Sequence, residues 1–120
     1  MSKRILVVED EEDNMQIVRD LLTNAGYDLI EAANGPDALA AAKQRPDLIL
    51  MDIQIPIIDG YETTRRIKAD PALESIPVIA VTSHAMDGGE EKARAAGCDD
   101  FVGKPYSPRD LLAKIRAYLA

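Results

Sequence analysis

Three carboxylates, a hydroxyl and an ammonium stand out along this 120-residue chain: Glu9 and Asp10, Asp52, Thr82 and Lys104. Each closes or follows a short apolar run: Ile5-Leu6-Val7-Val8, Leu48-Ile49-Leu50-Met51, Val78-Ile79-Ala80-Val81 and Phe101-Val102. If those runs are neighbouring parallel strands, the five groups meet at one edge of one sheet. Such a set can accept a phosphoryl group on a carboxylate. Asp52 is negative, and so are the oxygens of an incoming phosphoryl group, so a hard divalent cation must lie between them. Magnesium suits that role, because it takes oxygen ligands and binds few carboxylates beside waters and phosphate oxygens. Glu9 and Asp10 can supply that binding. Lys104 can neutralise another phosphoryl oxygen, and Thr82 can donate a hydrogen bond to a third. The product is an acyl phosphate on Asp52.

Taken singly, these residues have plainer readings. Glu9-Asp10-Glu11-Glu12-Asp13 also suits a solvated helix start, which the helix dipole favours, and that reading is kept for Glu11, Glu12 and Asp13. Asp52 alone fits a loop cap, Thr82 a strand-end hydroxyl and Lys104 a surface lysine. Their joint placement at strand ends favours the site.

The elements that must position these groups alternate five times between strand and helix patterns. Ile5 to Val8 is a fully apolar strand, and Met15, Val18, Leu21, Leu22 and Ala25 then repeat at helical spacing until Gly26. Residues 27–32 are mixed in polarity and form a second strand nearer an edge. Asn34-Gly35-Pro36 starts a helix, with Asn or Gly as cap and Pro in the first turn, and Ala38, Leu39 and Ala42 face inward. After Pro46, residues 48–51 are a strand apolar on both faces, as a parallel strand covered by helices must be. Residues 54–59 form a loop. Asp59-Gly60 opens a third helix with Tyr61, Thr64 and Ile67 inward, and Asp70-Pro71 breaks it. Residues 78–81 form the fourth strand. A fourth helix spans residues 86–96, weakened by Gly88-Gly89, each costing about 1 kcal/mol relative to Ala in a helix interior. Gly97 ends it, Asp100–Gly103 is the fifth strand, and Pro108 starts a helix with Leu111, Leu112, Ile115 and Leu119 on one face. Such alternation implies an α/β fold: a parallel sheet with helices on both faces and a ligand site beyond the carboxyl ends of its strands.

The length fits one domain, residues 1–120, and no linker or repeat divides it. Hydrophobic residues make up 47% and aromatics 4%, so the core is aliphatic. The net charge of −7 argues against sequence-independent nucleic-acid binding, which needs a basic surface. No apolar stretch approaches the roughly 20 residues of a membrane span, and the N-terminus has no signal-peptide pattern. The lone Cys98 has no internal disulfide partner and reads as a small buried filler. A cytoplasmic setting follows.

As a set, Ile5 to Asp10, Asp47 to Pro56, Asp59-Gly60, Ile79 to Ser83, Ala96-Gly97 and Gly103-Lys104-Pro105 cover the chain in order. In these motifs the sequence resembles response-regulator receiver domains, the phosphoacceptors of two-component phosphorelay signalling. The resemblance implies a five-stranded parallel sheet in the order 2-1-3-4-5, the flavodoxin-like arrangement. It also implies roles. Asp52 would be the phosphoacceptor, Asp10 a direct Mg2+ ligand and Glu9 the acid holding a metal-bound water, with Mn2+ as an alternative ion. The backbone carbonyl of Gln54 would complete the protein ligands, alongside Asp52 itself. Thr82 would be the switch hydroxyl, Lys104 the phosphate-binding lysine, and the Lys104–Pro105 bond cis. Phe101 would be the aromatic switch residue, although a plain core role also fits it. Gln54 and His84 would tune the phosphoryl lifetime, with an exposed loop residue as the plainer reading of His84. The donor would be a histidine kinase or a histidine phosphotransfer protein, and output would pass to a protein target through the fourth helix, fifth strand and fifth helix. A receiver piece of a hybrid histidine kinase and a phosphorylation-independent pseudo-receiver are the alternatives. A haloacid-dehalogenase-type phosphatase would need an acid two residues after its nucleophile, where this chain has Gln54. The expectation is therefore a phosphoacceptor that takes part in its own phosphorylation and dephosphorylation, not a turnover enzyme.

Overall fold

A computed structural model describes residues 2–83 and 88–119. The chain runs β1 (Arg4–Val8), α1 (Glu12–Asn24), β2 (Asp28–Ala32), α2 (Gly35–Ala42) and β3 (Leu48–Asp52). It continues through α3 (Gly60–Ala69), β4 (Val78–Thr82), α4 (Glu90–Ala96), β5 (Asp100–Gly103) and α5 (Pro108–Leu119). All four strand pairings are parallel and the sheet order is β2-β1-β3-β4-β5, as the resemblance to receiver domains implies.

Strand alternation divides the core in two. Leu6, Val8, Ile49, Met51, Val78 and Ala80 point to one face, where Ala38 and Ala42 of α2, Ile67 of α3 and Ala93 of α4 cover them. Ile5, Val7, Leu48, Leu50, Ile79 and Val81 point to the other, beneath Met15, Val18 and Leu22 of α1 and Leu111 and Ile115 of α5. Fully burying an aliphatic side chain of this size is worth about 1.5–3 kcal/mol, so the three central strands dominate the stability. Strand order reverses between β1 and β3, the position at which an open α/β sheet leaves a crevice at its carboxyl edge.

The helix starts follow local chemistry. The Asn34 side chain accepts from the N–H of Asp37 at 2.8 Å, and the Asp59 side chain accepts from that of Glu62 at 2.8 Å. Two boundaries differ from the sequence reading. Tyr27 lies before β2, because its N–H donates to Leu22 O at 3.1 Å and closes the end of α1. The fourth helix begins at Glu90, because Gly88 has φ +81, which a right-handed helix does not admit. Residues 86 and 87, placed in that helix from sequence, lie outside the described residues. Among the described residues no helix is long and apolar enough to cross a membrane.

Candidate functional site

Glu9 and Asp10 follow β1, Asp52 ends β3, Thr82 ends β4, and Lys104 follows β5. The register places Val8 beside Met51, Asp52 beside Val81, and Thr82 beside Gly103, so all five groups lie at the same edge of the sheet. Backbone hydrogen bonds extend the pairing past the strands: Glu9 N donates to Ala32 O at 3.0 Å and Lys104 N to Thr82 O at 2.8 Å. The Lys104–Pro105 peptide is cis.

Glu9, Asp10 and Asp52 each offer a carboxylate oxygen, and these atoms lie within 4.8 Å of one another. Asp10 is exposed, whereas Glu9 and Asp52 are 7% and 5% exposed. Two buried carboxylates this close repel each other unless a proton or a cation intervenes. Lys104 supplies part of that charge: its Nζ donates to Asp52 Oδ2 at 2.9 Å and lies 3.9 Å from Glu9 Oε1. The other Asp52 oxygen, Oδ1, accepts from Gln54 N at 3.0 Å, and Glu9 Oε2 accepts from Asp10 N at 3.1 Å. Burial first, then the hydrogen bond and charge of Asp52, push the Glu9 carboxyl up to about 8. Burial pulls the Lys104 ammonium down, but its hydrogen bond to Asp52 and the charges of Asp52 and Glu9 more than offset this, leaving it above the ordinary lysine value. One ammonium among three acids is too little positive charge, and the remaining donors are hard oxygens at one edge. That donor set fits a divalent cation of the magnesium type.

The loop after β3 is held close. Gly60 N donates to Ile53 O at 2.9 Å, and a Cβ on Gly60 would stand 2.6 Å from both Asp52 O and Ile53 Cα. Glycine at the start of α3 therefore allows the helix to abut the backbone of the strand that carries Asp52. Earlier in the same loop, Ile57 adopts φ +79 within a three-residue turn closed by Ile58 N on Pro56 O at 3.1 Å. That γ-turn conformation is strained for a β-branched residue.

Thr82 is 1% exposed at the end of β4. Phe101 is half-buried on β5 beside Ala80 and packs against the α2/α3/α4 side of the core. Gln54 is exposed two residues beyond Asp52, and His84 lies outside the described residues. Beside Asp52 and Lys104 opens a cleft of about 500 Å3 between α1 and the segment leading into α5, with Ile17, Val18, Leu50, Pro105 and Tyr106 among its walls. The sequence reading gave no role to Ser83 or Tyr106, which also line it. Their nearness to Thr82 and Lys104 in the chain was the available signal.

The response regulator receiver domain family matches residues 5–116. The polar-differentiation response regulator DivK of Brucella anthropi is 48% identical over 120 residues, covering 99% of this chain and 98% of its own. Among solved structures, the receiver domain of a sensor histidine kinase from Pseudomonas aeruginosa is 34% identical with a TM-score of 0.93, covering 99% of this chain and 98% of that one. It carries a magnesium ion coordinated in its active-site cleft. The chemotaxis response regulator CheY4 of Vibrio cholerae is 27% identical with a TM-score of 0.91, covering 98% and 99%.

Proposed function

Because this chain belongs to the response-regulator receiver family, a signalling family and not one of classical enzymes, we propose that Asp52 is its phosphoacceptor. The observation that carries this reading is the convergence of Glu9, Asp10 and Asp52 within 4.8 Å, with Lys104 Nζ at 2.9 Å from Asp52. Glu9, Asp10 and Asp52, with the carbonyl of Gln54, would hold Mg2+. When bound, the ion supplies the positive charge that lets a carboxylate and a phosphoryl group approach. Every other part belongs to the chain. The Gln54 N–H and the Lys104 ammonium orient the two oxygens of Asp52. Asp52 forms the new bond to phosphorus as the donor's bond breaks, and the donor's imidazole leaves. Lys104 then transfers its hydrogen bond to a phosphoryl oxygen, and the Thr82 hydroxyl turns toward another. Phe101, half-buried one strand away, would follow Thr82 by shifting between two packings, a population shift read on α4, β5 and α5.

The donor would be a phosphohistidine on a kinase or phosphotransfer protein, and the output a protein contact. Resemblance to a receiver domain of a sensor kinase keeps a hybrid-kinase context open as a second reading. Incubating the protein with a small acyl phosphate and Mg2+, followed by intact mass measurement, tests the proposal. Gain of one phosphoryl group, lost in Asp52→Asn, supports it. No adduct but steady phosphate release indicates a phosphatase, and neither outcome indicates a pseudo-receiver.

A further inference from the structure

We infer that Lys68 is a positioning residue for the response to phosphorylation: it fixes the far end of α4, so that a change at the Asp52 edge turns this helix about Gly97 instead of sliding it. The inference rests on the reading of Asp52 as phosphoacceptor. In a parallel sheet the helix after β4 sets out from the edge that carries Thr82 and returns to the opposite edge, where Asp99 N donates to Val78 O at 2.8 Å. Val78 and Thr82 are the two ends of β4, so the two ends of α4 answer to places about 13 Å apart along that strand.

The two ends of α4 are held differently. The helix starts after Gly89, which has no side chain to cap it. At its end Gly97 takes φ +101, its N–H donates to Arg94 O at 3.0 Å, and Cys98 N donates to Ala93 O at 2.9 Å. The Lys68 stem, from the last turn of α3, lies against that glycine: a Cβ on Gly97 would stand 2.9 Å from Lys68 Cγ. The ammonium beyond it donates to Asp99 Oδ2 at 2.9 Å, to Ile76 O at 2.7 Å and to Glu74 O at 3.0 Å. All three of its hydrogens are thereby engaged. Asp99 Oδ2 also accepts from Val78 N at 2.8 Å. One ammonium thus joins α3, the segment before β4 and the segment between α4 and β5. The Lys68 side chain is 17% exposed, so water competes little for these bonds. A short rigid helix anchored at one end and pushed at the other turns about the anchor, and one loose at both ends slides. Lys68 acts only through α4, because it stands at the edge of the sheet opposite Asp52.

The full chain is compared with and without beryllium fluoride and Mg2+, a mimic of the phosphoryl group on Asp52, by amide hydrogen exchange resolved to single residues. Rates are referred to the amides of β1, so that a general gain in stability cancels. In the parent the mimic should change exchange at residues 90–93 and leave Gly97, Cys98 and Asp99 within about twofold. Lys68→Met keeps a stem beneath Gly97 and removes the ammonium. In it these three amides should exchange about tenfold faster or more, and the mimic should now alter them as well. The parental pattern tests the anchor without any substitution. A parent whose residues 97–99 respond to the mimic as strongly as residues 90–93 would overturn the inference while leaving Asp52 as acceptor. So would a Lys68→Met protein that exchanges faster throughout yet keeps the parental pattern of response. A parent that does not bind the mimic overturns both.

Discussion

Raising pH should strengthen cation binding at the Asp52 site while weakening the fold in chelator. The group responsible is Glu9, whose carboxyl is pushed from 4.5 to about 8 by burial and by Asp52. Its folded value lies above its unfolded one, so the folded protein holds this proton more tightly than the unfolded chain does. That contribution to stability is fully present below pH 4.5 and is lost as pH rises toward 8. At about 1.4 kcal/mol per tenfold change in affinity, the loss is on the order of 3–5 kcal/mol across that window. A cation needs the ionised acid, so binding below pH 8 releases a proton, and affinity should rise up to about tenfold per pH unit before levelling. Isothermal titration of Mg2+ at pH 6, 7 and 8, in buffers of differing ionisation enthalpy, counts that proton. Urea unfolding in chelator, with Glu9→Gln as reference, reads the stability side, since the amide carries no titrating proton. Mg2+ affinity that is flat from pH 6 to 8 without proton release, or a parent and a Glu9→Gln protein whose stabilities run parallel with pH, would refute the reasoning.

Other consequences are local. Gly60→Ala places a methyl 2.6 Å from two backbone atoms of the Asp52 strand end, and it should cost about 2–3 kcal/mol in urea unfolding; a loss under about 0.5 kcal/mol would show that α3 yields easily. Ile57→Gly relieves a strained positive φ on a residue 76% exposed, and it should raise stability by about 0.5–1 kcal/mol after the extra freedom of the unfolded glycine is counted. A measured destabilisation would mean that the turn is not strained. Lys104→Met removes the ammonium from a buried carboxylate pair, so in chelator it should destabilise by about 1–3 kcal/mol at pH 8 and less at pH 5, where Glu9 carries its proton; equal losses at both pH values would separate Lys104 from the Glu9–Asp52 charge.

Sheet and site edge were legible for a common reason. Residues 5–8, 48–51 and 78–81 are apolar on both faces and alternate with helical patterns, as parallel strands covered on both sides do, and a polar group after such a run emerges at its end. Asn34 and Asp59 were legible as helix starts because capping is local. What escaped was set by tertiary contact. Which acid Lys104 pairs with, and that burial and Asp52 push the Glu9 carboxyl up, follow from how β1, β3 and β5 pack together. No motif marks Lys68, whose ammonium donates to Glu74 O, Ile76 O and Asp99 Oδ2 and pins the approach to β4. Thr63 is fully buried beside the expected Thr64, its hydroxyl satisfied by Asp59 O at 2.8 Å. The hydrogen bond from the Ser83 hydroxyl to Gln54 Oε1 joins residues 29 positions apart, and no spacing rule announces it.

The most direct trial of the account is to locate the label. Protein treated with acyl phosphate and Mg2+, then reduced with borohydride, converts an aspartyl phosphate to homoserine, which peptide mass mapping places along the chain. The account predicts homoserine at position 52 and at neither residue 9 nor residue 10; modification spread among the three acids, or absent from position 52, would contradict it.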